Sequence, residues 1–149
     1  MPIGYHSDQL MAAIIANLGT PEGGIAATIE ADPIPWPQAG QFPAVFIRFA
    51  EMTEEETGHH ATQRYDFELF YVMDDTGQAN PRATARQRAE QIAASLMADR
   101  RLGVTAFDVM DSLVTRIASD NRLQRELRER EQRKTAVEIG LRVTVAEAR

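Results

Sequence analysis

The clearest pattern in the sequence is an alternation of apolar and polar residues between positions 64 and 73. One face is apolar throughout, with Tyr65, Phe67, Leu69, Tyr71 and Met73, and the other face changes from polar to apolar at Phe70. A period of two residues is that of a β-strand with one buried face, so a strand is predicted here. Shorter alternating runs predict further strands at residues 25–31, 44–49 and 137–145. Residues 104–119 fit the spacing of a helix as well as that of a strand, and we favour a strand.

Two segments have the spacing of amphipathic helices. The first covers residues 8–18 and ends before Gly19, and its apolar face consists of Leu10, Met11, Ile14, Ile15 and Leu18. The second is a long, alanine-rich helix. It is predicted to begin at Asn80 and Pro81, because asparagine is a good N-cap and proline fits the first helical position, and to be closed by Gly103.

Three polar or irregular segments connect these elements. A proline-rich loop contains Trp36 and Phe42, the polar stretch 51–63 is predicted to be a loop, and the charged stretch 121–134 a solvated helix or hairpin arm. A chain of 149 residues is long enough for one globular domain, residues 1–149. The order of elements predicts an α+β fold, with a largely antiparallel β-sheet covered by an N-terminal helix and a long central helix.

Composition excludes several classes of protein. The sequence contains no cysteine, so a disulfide framework, a thiolate metal site and a cysteine nucleophile are excluded. No apolar run approaches the roughly 20 residues of a membrane-spanning helix, and residues 1–18 lack the features of a secretory signal. We therefore expect a protein made in the cytoplasm that has no membrane partner. A net charge of −6 argues against a generally basic nucleic-acid-binding protein.

The charges are distributed unevenly along the chain. Residues 1–75 contain two arginines against twelve acidic residues, whereas residues 76–149 contain fourteen basic residues against ten acidic ones. If the two halves form different faces, the acidic face of one copy would meet the basic face of the next in a head-to-tail contact. Alternatively, the sheet interleaves the halves and the asymmetry disappears in three dimensions. The sequence leaves both arrangements open.

Residues suited to catalysis are few. His59 and His60 lie close to Glu54, Glu55 and Glu56, and imidazole with carboxylate is a possible metal-ligand set for a metal-dependent hydrolase. Neighbouring histidines on an extended backbone point apart, however, and the sequence has no HExxH motif. It also has no phosphate-binding loop and no GxSxG motif. We therefore predict no catalytic residue, no cofactor and no metal ligand, and hence no enzyme.

Charged and aromatic residues are better candidates for contacts with other subunits or proteins. The residues predicted to lie in such an interface are Glu54, Glu55, Glu56, Arg125, Arg128, Arg130 and Trp36. Trp36 would serve as an aromatic anchor in a rigid loop, although capping the edge of the core is the more common role, because tryptophan is usually substantially buried.

The layout of the chain resembles a family of known proteins. The resemblance rests on the segments Pro-Ala-Val-Phe-Ile-Arg-Phe (43–49), Arg-Tyr-Asp-Phe-Glu-Leu-Phe-Tyr-Val (64–72) with Asp74-Asp75 after it, the alanine-rich helix, Leu102-Gly103 and the last strand, 136–145. In this order they resemble the tail terminator and tail completion proteins of long-tailed bacteriophages and gene transfer agents. Fifteen arginines against one lysine would suit a GC-rich bacterial host or its prophage.

The resemblance implies a virion structural protein of the tail–neck region, made in the host bacterial cytoplasm. Such a protein forms a homo-oligomeric ring of six copies on the last ring of tail-tube protein, stops tube growth and presents a surface to a neck or head-completion protein. DNA would only pass through the ring. Three other possibilities remain, namely another neck, head-completion or minor tail protein, a free-standing regulatory binding module and, with less support, a metal-dependent hydrolase that uses His59 and His60. A free-standing regulatory binding module would be monomeric or dimeric and independent of the tail tube.

Overall fold

The computed structural model describes residues 5–19, 28–31, 42–58 and 60–148. Three helices and five strands follow one another along the chain. They are α1 (Ser7–Leu18), β1 (Thr28–Ala31), β2 (Ala44–Thr57), β3 (His60–Asp74), α2 (Pro81–Ala98), β4 (Asp108–Ala118), α3 (Arg122–Glu129) and β5 (Lys134–Ala148).

The five strands form one sheet in the order β1-β2-β3-β5-β4. The neighbours from β2 to β4 are antiparallel, and only the short β1 runs parallel to its neighbour β2. The predicted α+β class with a largely antiparallel sheet is confirmed, and so are the strand favoured within residues 104–119 and the last strand. Of the strand predicted at 25–31, the described part is Thr28–Ala31.

The main core lies between one face of the sheet and the helices α1 and α2. The alternating apolar residues of β3 point into it, as the sequence predicts, and meet Leu10 and Ile14 from α1 and Ile92 and Leu96 from α2. Burying each side chain of this kind stabilises the fold by roughly 1.5–3 kcal/mol relative to exposure. A smaller core on the opposite face consists of Ala44, Phe46, Phe70, Val72, Leu123, Leu127 and Ala136.

Helix α2 begins where the sequence predicts and ends earlier. The side chain of Asn80 accepts a hydrogen bond from the backbone N–H of Ala83 at 3.2 Å, and Pro81 is the first helical residue. The helix ends at Ala98, because Asp99 is extended and its carboxylate accepts a hydrogen bond from the N–H of Arg101. Gly103, with φ of 69°, belongs to the following turn and does not cap the helix.

The predicted loop at residues 51–63 is wrong. Strand β2 continues to Thr57 and pairs with β3 down to His60, so the chain reverses within two residues, and Gly58 has the positive φ of 61° that tight hairpin turns favour. Strand β3 is itself paired with β5 over this whole length. In this segment Ala61 and Gln63 of the central strand β3 are fully buried, whereas Glu54, Glu55 and Glu56 of β2 are exposed.

The charged stretch 121–134 is not an arm. It forms the two-turn helix α3 and the first residue of β5, and α3 packs on the sheet through Leu123, Gln124 and Leu127. A helix this short is marginal in isolation, so its stability comes from this packing. The proline-rich loop lies outside the described residues apart from Phe42 and Pro43, and so does Trp36.

Candidate interaction surfaces

Helix α3 is held on the sheet by two buried side-chain amides. The amide of Asn121 accepts a hydrogen bond from the N–H of Gln124 at 2.8 Å, which caps the helix, and donates to the carbonyl of Ala136 at 3.0 Å. The amide of Gln124 accepts from the N–H of Ala136 at 2.8 Å and donates to the carbonyl of Lys134 at 3.2 Å. Strand β4 ends at Ala118, where it pairs with Glu138 of β5. Beyond that point, the side-chain amides of Asn121 and Gln124 form the hydrogen bonds to the edge of β5 that a strand would otherwise form.

The exposed side of α3 carries a row of three arginines, Arg122, Arg125 and Arg128, which we call the arginine row. Residues three apart on a helix are neighbours, with about 5–6 Å between their Cβ atoms. None of the three makes an ion pair with any described residue. Arg130 was predicted with this group, but it follows the helix as its C-cap, and its N–H bonds to the carbonyl of Glu126.

At the opposite end of the sheet, residues 51–63 form the end of the β2–β3 hairpin, which we call the acidic hairpin. A chain of hydrogen bonds connects its inner face to the start of α1. The N–H of His6 donates to the hydroxyl of Tyr65 at 3.0 Å, and this hydroxyl donates to the buried Gln63 at 2.7 Å. The amide of Gln63 donates to Glu54 at 3.3 Å. Hydrogen bonds therefore hold the face of the hairpin that carries Gln63, whereas its other face is open to solvent.

The glutamates of the acidic hairpin are all exposed but do not converge. Because side chains alternate along a strand, Glu55 lies on one face of the hairpin, and Glu54 and Glu56 lie on the other. Glu55 pairs with Arg64 at 3.6 Å. His59 lies outside the described residues, and the structure describes only the backbone of His60. Within the described residues no group of three histidine or acidic side chains is placed to hold a metal ion.

The acidic hairpin and the arginine row lie at opposite ends of the same sheet. Helix α3 packs against Ala44 and Phe46 at the start of β2. Glu55 lies eleven residues after Ala44 on the same strand. At about 3.3 Å per residue the separation is about 35 Å. The interface residues predicted from the sequence thus fall into two separate surfaces, and the structure does not describe Trp36.

Between these ends, the sheet face opposite α1 and α2 mixes charges of both signs. Arg142 contacts Asp66 at 3.0 Å, and Arg116 contacts Glu138 at 2.7 Å. Hydrogen bonding to Asp66 raises the pKa of Arg142 above its ordinary value. The Arg142–Asp66 pair joins the two halves of the chain, so here the sheet does interleave their charges. Among the described elements, the end of the β2–β3 hairpin comes from the acidic half of the chain alone, and α3 from the basic half alone.

The edge strand β4 carries exposed apolar side chains on both faces of the sheet, since Leu113 lies beside Arg142 and Ile117 beside Ile139, and the sequence analysis did not identify them. Met110, Leu113 and Ile117 are 56%, 43% and 39% exposed, and they make up all but one of the exposed large apolar residues in the described part of the chain. No described strand pairs with this edge. The apolar spacing of residues 109–117 was visible in the sequence, but the spacing does not reveal that the strand lies at an edge.

A hollow lined by Phe42, Tyr71, Asp74 and Arg88 lies near the N-terminal end of α2. Burial raises the pKa of the Tyr71 hydroxyl, and the positive charge of Arg88 acts in the opposite direction. The pKa of Asp74 is lowered, first by a hydrogen bond from the backbone N–H of Thr76. The Asp74 carboxylate accepts a hydrogen bond from its own turn, and the Arg88 guanidinium donates one to Gln91. The two groups do not form a nucleophile–base pair.

No helix in the described residues is long and apolar enough to cross a membrane. No family model matches the sequence, and no curated protein matches it. A solved structure does match: a chain in the virion of a native gene transfer agent particle has a TM-score of 0.61 and 17% sequence identity. The match covers 97% of this chain and 100% of that one. The two chains therefore share a fold over nearly their full length.

Proposed function

We propose that this protein is a structural component of a virion or of a related gene transfer agent particle, and that it is not an enzyme. The observation that carries the proposal is the full-length match in fold to a chain of such a particle. The match covers nearly the whole length of both chains.

Within the particle, we infer that the protein forms a ring that caps the tail tube and joins the tail to the head or neck. The layout of strands and helices that resembles tail terminator proteins supports this role. The two differently charged ends of the sheet also support it, since a protein between tube and neck needs two distinct contact surfaces. Tail-tube protein and a neck or head-completion protein are then its partners, and DNA only passes through the ring.

Another neck or head-completion protein is the second candidate, because size and acidity do not distinguish positions within a particle. The hydrolase alternative has less support. The three nearby glutamates do not converge on one point, because Glu55 lies on the face of the strand opposite Glu54 and Glu56.

The decisive experiment uses purified tail-tube protein from the same genome. Tube length is measured by negative-stain electron microscopy while tubes polymerise with and without this protein. A terminator shortens the tubes and adds a ring at one end, in proportion to its concentration. Tubes of unchanged length with bare ends would refute the capping role. Binding to a purified neck protein but not to tubes would favour the second candidate.

A further inference from the structure

We propose that the acidic hairpin of one copy binds the arginine row on α3 of the next copy, and that this contact builds the oligomer. The inference deepens the proposed function, because it names the surfaces that join the subunits of the ring. It commits to a second copy of this chain as the partner of both surfaces.

The charges of the two surfaces are complementary. The arginine row presents three guanidinium groups that make no ion pair within the described residues. The acidic hairpin presents four exposed carboxylates, with Glu51 and Glu55 on one of its faces and Glu54 and Glu56 on the other. Guanidinium groups favour carboxylates because their hydrogen-bond geometries match.

Both surfaces are rigid before they meet. Asn121 and Gln124 hold α3 on the sheet, so the arginines project from a fixed helix. The buried Gln63 and Tyr65 anchor the hairpin, and β5 pairs with β3 along its full length. Preorganised surfaces lose less conformational entropy on binding than flexible ones, which favours a specific contact.

Geometry requires a second molecule. The two surfaces are about 35 Å apart along the strands of one sheet, so they cannot meet within one copy. A contact between two different surfaces is heterologous, and it produces a closed ring when the rotation between neighbours closes. Each copy then uses its hairpin toward one neighbour and its arginine row toward the other.

The test is a charge exchange between two variants. One carries Arg122→Glu, Arg125→Glu and Arg128→Glu. The other carries Glu51→Arg, Glu55→Arg and Glu56→Arg, with Glu54 retained because it accepts a hydrogen bond from Gln63. Each variant alone has two surfaces of the same sign, so we expect at least a tenfold weaker self-association by light scattering. An equimolar mixture should restore assembly, because each surface then finds an opposite one on the other variant.

A matched control carries Arg82→Glu, Arg86→Glu and Arg101→Glu. These substitutions lower the net charge by the same amount as the three on α3, at exposed positions away from that helix. It should assemble like the wild type. Circular dichroism and thermal unfolding establish that every variant is folded. A wild type that is monomeric at all concentrations, a variant that assembles normally, or a mixture that fails to assemble would each overturn the proposal.

The capping experiment separates this inference from the proposed function. If the wild type caps tubes but its self-association does not depend on these charges, the function stands and this interface is wrong. If the charge exchange works but tubes are not capped, the interface stands and the function is wrong.

Discussion

Gly140 of β5 is a residue whose missing side chain makes room for a neighbour. A Cβ atom built at this position would lie 2.7 Å from the Cγ of Arg116 and 2.7 Å from the Oγ1 of Thr115. Both atoms belong to the adjacent strand β4 and are close to their backbone. We expect Gly140→Ala to lower the free energy of unfolding by about 1–3 kcal/mol, measured by denaturant titration.

A control for this prediction removes the neighbours instead. In a chain that already carries Thr115→Ala and Arg116→Ala, the same glycine substitution should cost clearly less, because the atoms it meets are gone. An equal cost in both backgrounds would show that backbone conformation, rather than contact with Arg116, requires glycine here.

Asp111 provides a prediction of pH dependence. Arg100 donates to the Asp111 carboxylate, with 2.8 Å from Nη2 to Oδ2, and this hydrogen bond lowers the pKa of Asp111 below its ordinary value. A lowered folded-state pKa means that the stabilisation is complete above the unfolded-state pKa, and is lost as pH falls through the folded-state pKa. Asp111→Asn should therefore reduce the unfolding temperature slightly at pH 7, and the difference from wild type should shrink as the pH falls through the folded-state pKa of Asp111.

Asp108→Asn is the matched control, since Asp108 is exposed on the same strand and makes no ion pair with a described residue. Its effect on the unfolding temperature should be small at every pH. A difference between Asp111→Asn and wild type that stays the same at every acidic pH at which both proteins remain folded would contradict the electrostatic explanation.

At the scale of the element, α3 depends on its amide contacts to β5. Replacing Gln124 with alanine leaves the buried N–H of Ala136 without its acceptor and the carbonyl of Lys134 without its donor. We expect Gln124→Ala to lower the free energy of unfolding by about 1–3 kcal/mol. Arg125→Ala, on the exposed side of the same helix, should change it by less than about 0.5 kcal/mol. Equal effects would mean that the helix is held by Leu123 and Leu127 alone.

The acidic hairpin shows why polarity alone mislocated a strand. The period-two pattern is evident only where one face is apolar. It is lost at Gln63, a polar residue that is fully buried because its amide is hydrogen-bonded. The partners that bury it, Tyr65 and residues of β5, are set by tertiary pairing. For residues 121–134 the sequence predicts a solvated helix or a hairpin arm, but not that two leucines and one glutamine pack the short helix α3 on the sheet.

Hydrogen exchange tests the corrected hairpin. Amides of residues 64–73 and 137–145 should exchange most slowly, because they lie in the central strands β3 and β5. Residues 61–63 should also be protected, as β3 has partners on both sides there. Exchange of residues 61–63 as fast as that of the turn at residues 76–79 would restore the loop predicted from the sequence.

At the scale of the whole molecule, the two readings of the charge asymmetry each describe part of the surface. The central strands interleave the two halves of the chain, and Arg142 neutralises Asp66 there. The ends are different, because the hairpin comes entirely from the acidic half and α3 entirely from the basic half. Sequence order could predict these charged segments but not their positions, since only the strand order places them at opposite ends.

Salt dependence of assembly follows from this arrangement and distinguishes it from an apolar contact. The charges of the acidic hairpin and the arginine row are exposed, and the screening length falls from about 10 Å at 0.1 M salt to about 3 Å at 1 M. Self-association measured by sedimentation should therefore weaken at least tenfold over this range of sodium chloride. An interface built on Met110, Leu113 and Ile117 of β4 would instead be insensitive to sodium chloride and strengthened by sulfate, which favours apolar burial. Tighter assembly at high salt, abolished by Leu113→Lys, would thus move the subunit contact from the charged ends to the edge of β4.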